Sequence, residues 1–270
     1  MRPCVRWSMR ARRASRSTMR SGWLGLGVPL VLLAAWWGVS ASGFVPAYQL
    51  ASPAQVVREA IALGADGTLG KDLIASATRV VTGFAIACAV ACALGTLVGL
   101  SPTVERVLEP SLQAIRAVPS LAWVPLILLW LGIGETAKIT LVAIGAFFPI
   151  YVNLVAGIHN VDRKLVEVAQ IFGIRGLARA RRVIIPAASP SLLVGMRIGF
   201  TQAWLFLVAA ELLASTKGLG FLLVEGQQIS RPDRILVAIL LLALCGKVTE
   251  SLMKAFERRA LHWVDGLRAS

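Results

Sequence analysis

From Ile139 to Pro190 the chain reads ITLVAIGAFFPIYVNLVAGIHNVDRKLVEVAQIFGIRGLARARRVIIPAASP. Its first part, Ile139 to Val161, contains no charged side chain. As a helix it supplies the roughly 20 apolar residues that cross a hydrocarbon core of about 30 Å. The composition then turns polar and basic, with Arg163, Lys164, Arg175, Arg179, Arg181 and Arg182 against Asp162 and Glu167. Apolar sequence resumes at Val183. Within the basic stretch, Glu167-Val168-Ala169, then Gly173, then Val183-Ile184-Ile185-Pro186 predict a helix, a turn, a second helix and a stop. Glu167 suits a helix start through the macrodipole. Gly173 suits a turn that other residues make at a cost, and Pro186 suits the end of the second helix. So ordered a loop between two spans predicts a docking element for a soluble partner.

Other charge-free runs extend the pattern. Ser21 to Val57, Val80 to Val104 and Ala117 to Gly134 carry no charge, while Val183 to Thr216 is interrupted by Arg197 and Glu211, and the segment from Ile235 by Lys247 and Glu250. The 270 residues are 57% hydrophobic and 16% charged, against about a quarter charged in a soluble domain. Spanning segments must satisfy their backbone polar groups internally. The predicted fold is therefore all-α, a polytopic membrane bundle of about six transmembrane helices near 22–40, 74–100, 120–134, 137–158, 190–214 and 234–256. Three domains are expected: a basic cytoplasmic tail at 1–21, a transmembrane domain at 22–256 containing the loop at 159–189, and a cytoplasmic tail at 257–270.

The net charge of +14 would point to nucleic acid in a soluble protein. Here the basic clusters at 1–20, 159–182 and 254–268 fall on one side if spans alternate. This is the positive-inside pattern, which excludes a nucleic-acid role and puts both termini and the loop in the cytoplasm. Some loop arginines also suit anionic lipid heads. A signal peptide competes for the N-terminus, since Arg12-Arg13 precede an apolar stretch ending at Val39-Ser40-Ala41. That stretch exceeds the usual length of a signal, so an uncleaved first span is expected. Cys4, Cys88, Cys92 and Cys245 form neither a metal pattern nor a disulfide framework.

Between spans, residues 43–72 form an outside connection with an amphipathic helix across Pro53 to Leu63, and residues 101–119 a cytoplasmic return with a short helix opened by Glu105-Arg106. A tight turn is expected at Gly132-Ile133-Gly134, and helix kinks or ends at Pro119, Pro125 and Pro149. Gly95 and Gly99 form a small-x-x-x-small step, which predicts close helix packing.

The pattern Glu167-Val168-Ala169-x-x-x-Gly173, nine residues, then Val183-x-Ile185-Pro186 resembles the Glu-Ala-Ala loop of ABC importer permeases. It departs from that family's Glu-Ala-Ala-x-x-x-Gly-x(nine)-Ile-x-Leu-Pro only by apolar exchanges at Val168, Val183 and Ile185. Pro119 to Leu126, Leu131 to Glu135 and Gly145 to Ile150 are similar to the subfamily importing sulfonates, taurine, nitrate and related anions, and Phe148 to Asn153 and Gly157 to Arg163 to its aliphatic-sulfonate permeases. The resemblance covers about 46–263. It implies a type I importer fold in the bacterial inner membrane and a homodimer with a second copy of the permease. It also implies two ATP-binding-cassette ATPase subunits, a periplasmic substrate-binding protein and no cofactor. The first helix of the loop would enter a groove of the ATPase.

Charges inside spans are costly and often functional. Arg79 and Lys247 suit snorkelling from span ends, and Tyr151, Asn153, Arg197, Gln202 and Glu211 are the candidates for a translocation path or gate. A lone acid is a poor ligand for a sulfonate, so Glu211 suits a structural or gating role. An enzyme is excluded by inventory. His159 and His262 are the only histidines, and Gly246-Lys247-Val248-Thr249 lacks a phosphate loop's glycine spacing. A stand-alone secondary transporter or channel is the rival, with Glu211 and Glu250 as the coupling acids available to it.

Overall fold

A computed structural model describes residues 18–46 and 48–262, with side chains from residue 27 onward. Most of the tails expected at 1–21 and 257–270, and Cys4, lie outside the described residues. Regular structure among the described residues is entirely helical. Among the described residues, four helices are long and apolar enough to span a membrane: α3 (Thr68–Leu100), α6 (Glu135–His159), the rod Gly176–Ala214, and α11 (Pro232–Ala260). They correspond to the spans expected at 74–100, 137–158, 190–214 and 234–256. α1 (Thr18–Ala41) occupies the first expected span, and its Trp36 Nε1 donates to Ala51 O at 3.0 Å. The bundle has a loop end, where α6 passes into residues 160–175, and a far end, where α3 and α11 begin.

The remaining span is broken. α4 (Pro102–Ala117) and a 3-10 turn at Ser120–Trp123 leading into α5 (Val124–Leu131) meet at 86°. This corrects the expectation of a cytoplasmic return at 101–119 followed by a straight span at 120–134. α4 climbs beside α6, with Glu105 3.7 Å from His159 and Tyr151 Oη donating to Glu109 at 2.7 Å. Its Val104, Leu108 and Leu112 pack on the main core, which is why the helix enters the bundle rather than lying outside it. The break falls at Pro119. A proline forces the residue before it out of helical backbone, and Val118 sits at φ −72°, ψ 127°. α5 then packs at the far end, where Val124 and Ile127 cluster with Ala137 and Leu141. Gly132, at φ +73°, makes the expected turn into α6. Pro149, expected to kink or end a helix, lies inside an α6 that runs on to His159.

Pro186 does not stop a helix either. α8 (Gly176–Arg179), a π-helical turn at Ala180–Ile184 and α9 (Ile185–Ala214) run on as one 39-residue rod. At the π turn the Ile185 N–H bonds Ala180 O, five residues back instead of four. Such a bulge shifts the hydrogen-bond register just where Pro186 has no N–H to offer, so the proline sits within a first turn that tolerates it.

The core lies where α6 packs against α3 and α9. Glycines permit the approach. A Cβ at Gly99 would stand 2.8 Å from the Ile158 side chain and one at Gly95 3.0 Å from Leu154, so the small-x-x-x-small step packs α3 on α6. On α9, a Cβ at Gly199 would lie 2.8 Å from Ala146 O, a backbone atom that cannot swing aside. Gly199→Ala is expected to destabilise the fold by about 1–3 kcal/mol through overpacking, seen as a lower melting temperature in detergent. At the far end, α2 (Pro53–Ala65) is closed by a capping box between Ser52 and Gln55, and its Glu59 pairs with Arg231 at 2.6 Å and Arg234 at 3.0 Å. α10 (Leu219–Gln228) packs beside α11 there.

Candidate coupling loop and translocation cleft

At the loop end, α7 (Arg163–Ile171) begins at Asp162, whose Oδ1 accepts the Lys164 N–H at 2.9 Å. Asp162 rather than Glu167 therefore takes the helix start. Glu167 stands in the second turn, exposed, which corrects the macrodipole argument made for it. The helix closes as the spacing predicts. Gly173 N–H donates to Gln170 O and Ile174 N–H to Ala169 O, both at 2.9 Å, with Gly173 at φ +73°. This paired closure needs a left-handed residue just past the helix, a conformation glycine adopts without a Cβ penalty. Ala169 is 4% exposed, so its small side chain faces its own chain instead of an outer surface. The outward face is apolar: Leu165, Val168, Ile171 and Phe172 are 48, 50, 83 and 77% exposed. Val183 and Ile185 are half-buried in the rod, and Pro186 is exposed.

Inside the bundle, three of the five polar path candidates have partners in other elements. Tyr151 is buried and bonded to Glu109. Arg197 Nη1 pairs with Glu257 on α11 at 3.1 Å. Glu211 is 1% exposed and accepts from Arg79 Nη1 at 2.6 Å, Ser76 Oγ at 2.8 Å and Gly220 N at 2.8 Å. Arg79 does not snorkel. It is 2% exposed and also grips Glu135 bidentately at 2.7 Å through Nε and Nη2, because two carboxylates and the Lys217 carbonyl satisfy it inside the fold. Lys247 does reach outward, with its side chain 72% exposed and 3.9 Å from Glu250.

Asn153 and Gln202 come together. They line a cleft of about 540 Å³ between α6, α9 and the bend after α4, a volume suited to a small molecule. Arg116 and Ser120 contribute from the bend. The sequence reading missed both: it placed Arg116 in a connection at 101–119 outside the bundle, and it took Ser120 as the first residue of a straight span at 120–134 without singling it out. Arg116 lies seven residues beyond Glu109, about 10 Å further up α4, and that brings it level with Gly145 near the middle of α6.

A bundle of apolar helices with one span broken beside a mid-height cleft and an ordered loop at one end fits the permease part of an ATP-binding-cassette importer. Residues 83–262 match the family of binding-protein-dependent transport system inner membrane components, and the chain belongs to it. It is 39% identical over 245 residues to the putative aliphatic sulfonates transport permease protein SsuC of Bacillus subtilis (strain 168), covering 90% of this chain and 89% of that one. It is 35% identical over 245 residues to the taurine transport system permease protein TauC of Escherichia coli (strain K12), covering 89% of each. In fold it is similar to a chain of the MetNI methionine ABC transporter in inward-facing conformations, with a TM-score of 0.60 at 17% identity, covering 69% of this chain and 93% of that one.

Proposed function

We propose that this chain carries a small organic anion, an aliphatic sulfonate first, across the bacterial inner membrane as one of two copies of the permease. Two ATP-binding-cassette ATPase subunits dock from the cytoplasm, and a periplasmic binding protein delivers the substrate. The permease domain is 22–256 with cytoplasmic tails on either side, and the arginines of the loop also meet anionic lipid. Glu167, Val168, Ala169, Gly173, Val183, Ile185 and Pro186 form the coupling loop at 159–189. Taurine, nitrate and bicarbonate are the alternative cargoes.

One observation carries the coupling assignment. α7 holds Leu165, Val168, Ile171 and Phe172 out of the bundle, while its far end is tied through Gly173 to the 39-residue rod. A groove that seats this face can therefore move a spanning helix directly. Sulfonate is favoured by the likeness to permeases named for it over nearly the whole chain. The secondary-transporter alternative loses support because Glu211 is neutralised by Arg79 and Glu250 by Lys254. Purification in mild detergent is expected to bring down an ATPase subunit in equal number with the permease. A permease that never co-purifies with one overturns the assignment. The binding protein that stimulates ATP hydrolysis by this complex is expected to retain an alkanesulfonate.

A further inference from the structure

The cleft beside the α4 bend contains a cation without a counter-charge. Arg79, Lys138, Arg197, Arg231, Arg234 and Lys254 each meet a carboxylate. Arg116, exposed on the cleft wall at about the height of Gly145, has no hydrogen-bond or ion-pair partner among the described residues. It shares the cleft with three neutral polar side chains, Ser120, Asn153 and Gln202, and among the described residues no acidic one lines the space. Asn153 commits one donor, Nδ2, to Pro149 O at 2.8 Å, leaving its carbonyl and second N–H available. Phe148, Ile198 and Phe206 supply apolar wall.

We propose that this cleft is a transient anion-binding site in the permease itself, with Arg116 taking a sulfonate head and Phe148, Ile198 and Phe206 an alkyl tail. The assignment rests on the anion-importer reading above and adds the residues of contact and a preference among cargoes. An unpaired guanidinium is costly at membrane depth unless it lines an aqueous path and meets an anion. Its planar fork matches the oxygens of a sulfonate. Ser120, Asn153 and Gln202 offer further donors without adding charge, which keeps the anion weakly held and able to leave. Taurine brings an ammonium group into a space with no carboxylate to receive it, and desolvating that group without a partner is unfavourable. The cleft therefore selects an alkanesulfonate over taurine.

The test uses the complete permease–ATPase complex and its binding protein in proteoliposomes, following ATP-dependent uptake of labelled butane-1-sulfonate. Binding of the same anion is also measured on the complex without the binding protein. Arg116→Gln is expected to weaken binding about tenfold or more, the scale of one charged hydrogen bond. Arg116→Lys should recover part of it, and taurine should displace the label at least about tenfold less well than unlabelled butane-1-sulfonate, from the same scale. If Arg116→Gln fails to insert, Gln202→Leu reports on the same cleft and should weaken binding too. Uptake by wild type with unaltered binding in the inserted variant overturns the site and leaves the importer reading standing. Equal displacement by taurine overturns the ligand preference. Absence of any ATP-driven sulfonate uptake by wild type overturns the importer reading, and the ligand assignment with it.

Discussion

Gly173→Asp is expected to abolish ATP-driven uptake while the protein still inserts into the membrane. The position is exposed, and a Cβ there meets nothing within 4 Å, so the chain itself has room for the new side chain. The intrinsic penalty is backbone strain at φ +73°, about 1–2 kcal/mol for an ordinary residue and less for Asp, which bonds locally. A loss of that size leaves a membrane bundle folded. A collapse of transport must then come from the surface that α7 presents to a partner, where Asp adds bulk and negative charge beside Ile171 and Phe172. Gly173→Ala separates the two causes, since Ala suffers at least as much in left-handed backbone as Asp but adds one carbon. Uptake is expected below about a tenth of wild type for Asp, with Ala well above it, the gap reflecting lost docking rather than a strain of about 1–2 kcal/mol. Equal loss in both variants would place the effect in the backbone. Normal uptake in Asp would remove the loop from coupling.

Much of this architecture is written locally in the chain. Apolar runs locate α3, α6, the rod and α11, because a lipid-facing helix must be mostly apolar over its own length. They are charge-free in α3 from Val80 and in α6 from Ile139, and broken by Arg197 and Glu211 in the rod and by Lys247 and Glu250 in α11. The closure of α7 is equally local, since a glycine at the right distance past a helix fixes the left-handed turn. What escaped the sequence depends on partners far apart in the chain. Arg79 read as a span-end residue because Glu211, 132 positions away, leaves no local trace of their pairing. α4 read as a connection because its apolar side is narrow, and only the Glu109–Tyr151 bond and the packing of Leu108 and Leu112 reveal where it goes. Pro186 read as a stop because a π turn that absorbs a missing N–H has no signature in residue types. Arg116 followed α4 into the bundle and was missed with it.

The far end supplies the largest expected change in stability. Arg79→Met is isosteric enough to keep the packing but removes the positive charge from Glu211, whose side chain is fully buried. Ser76 Oγ and the Gly220 N–H would remain as its donors, at 2.8 Å each. The turn cannot open cheaply to let water in. Gly218, at φ +123°, and Gly220 wrap the carboxylate so closely that a Cβ on either would strike Glu211, while Gly218 N–H and Leu219 N–H are held by Asp72 at 2.8 Å and Ser76 at 2.9 Å. Removing one partner of a buried pair costs about 3–5 kcal/mol, because the survivor is left as an uncompensated charge. Glu135, half exposed, also loses its bidentate clamp but keeps Lys138 at 3.2 Å and can hydrate. The damage should therefore centre on Glu211. Adding Glu211→Gln to Arg79→Met is expected to restore most of the lost stability, since the amide still accepts from Ser76 and Gly220 and carries no charge. Thermal unfolding of the detergent-solubilised protein checks both variants. A double variant no more stable than Arg79→Met would mean that the arginine acts through Glu135 and the Lys217 carbonyl instead.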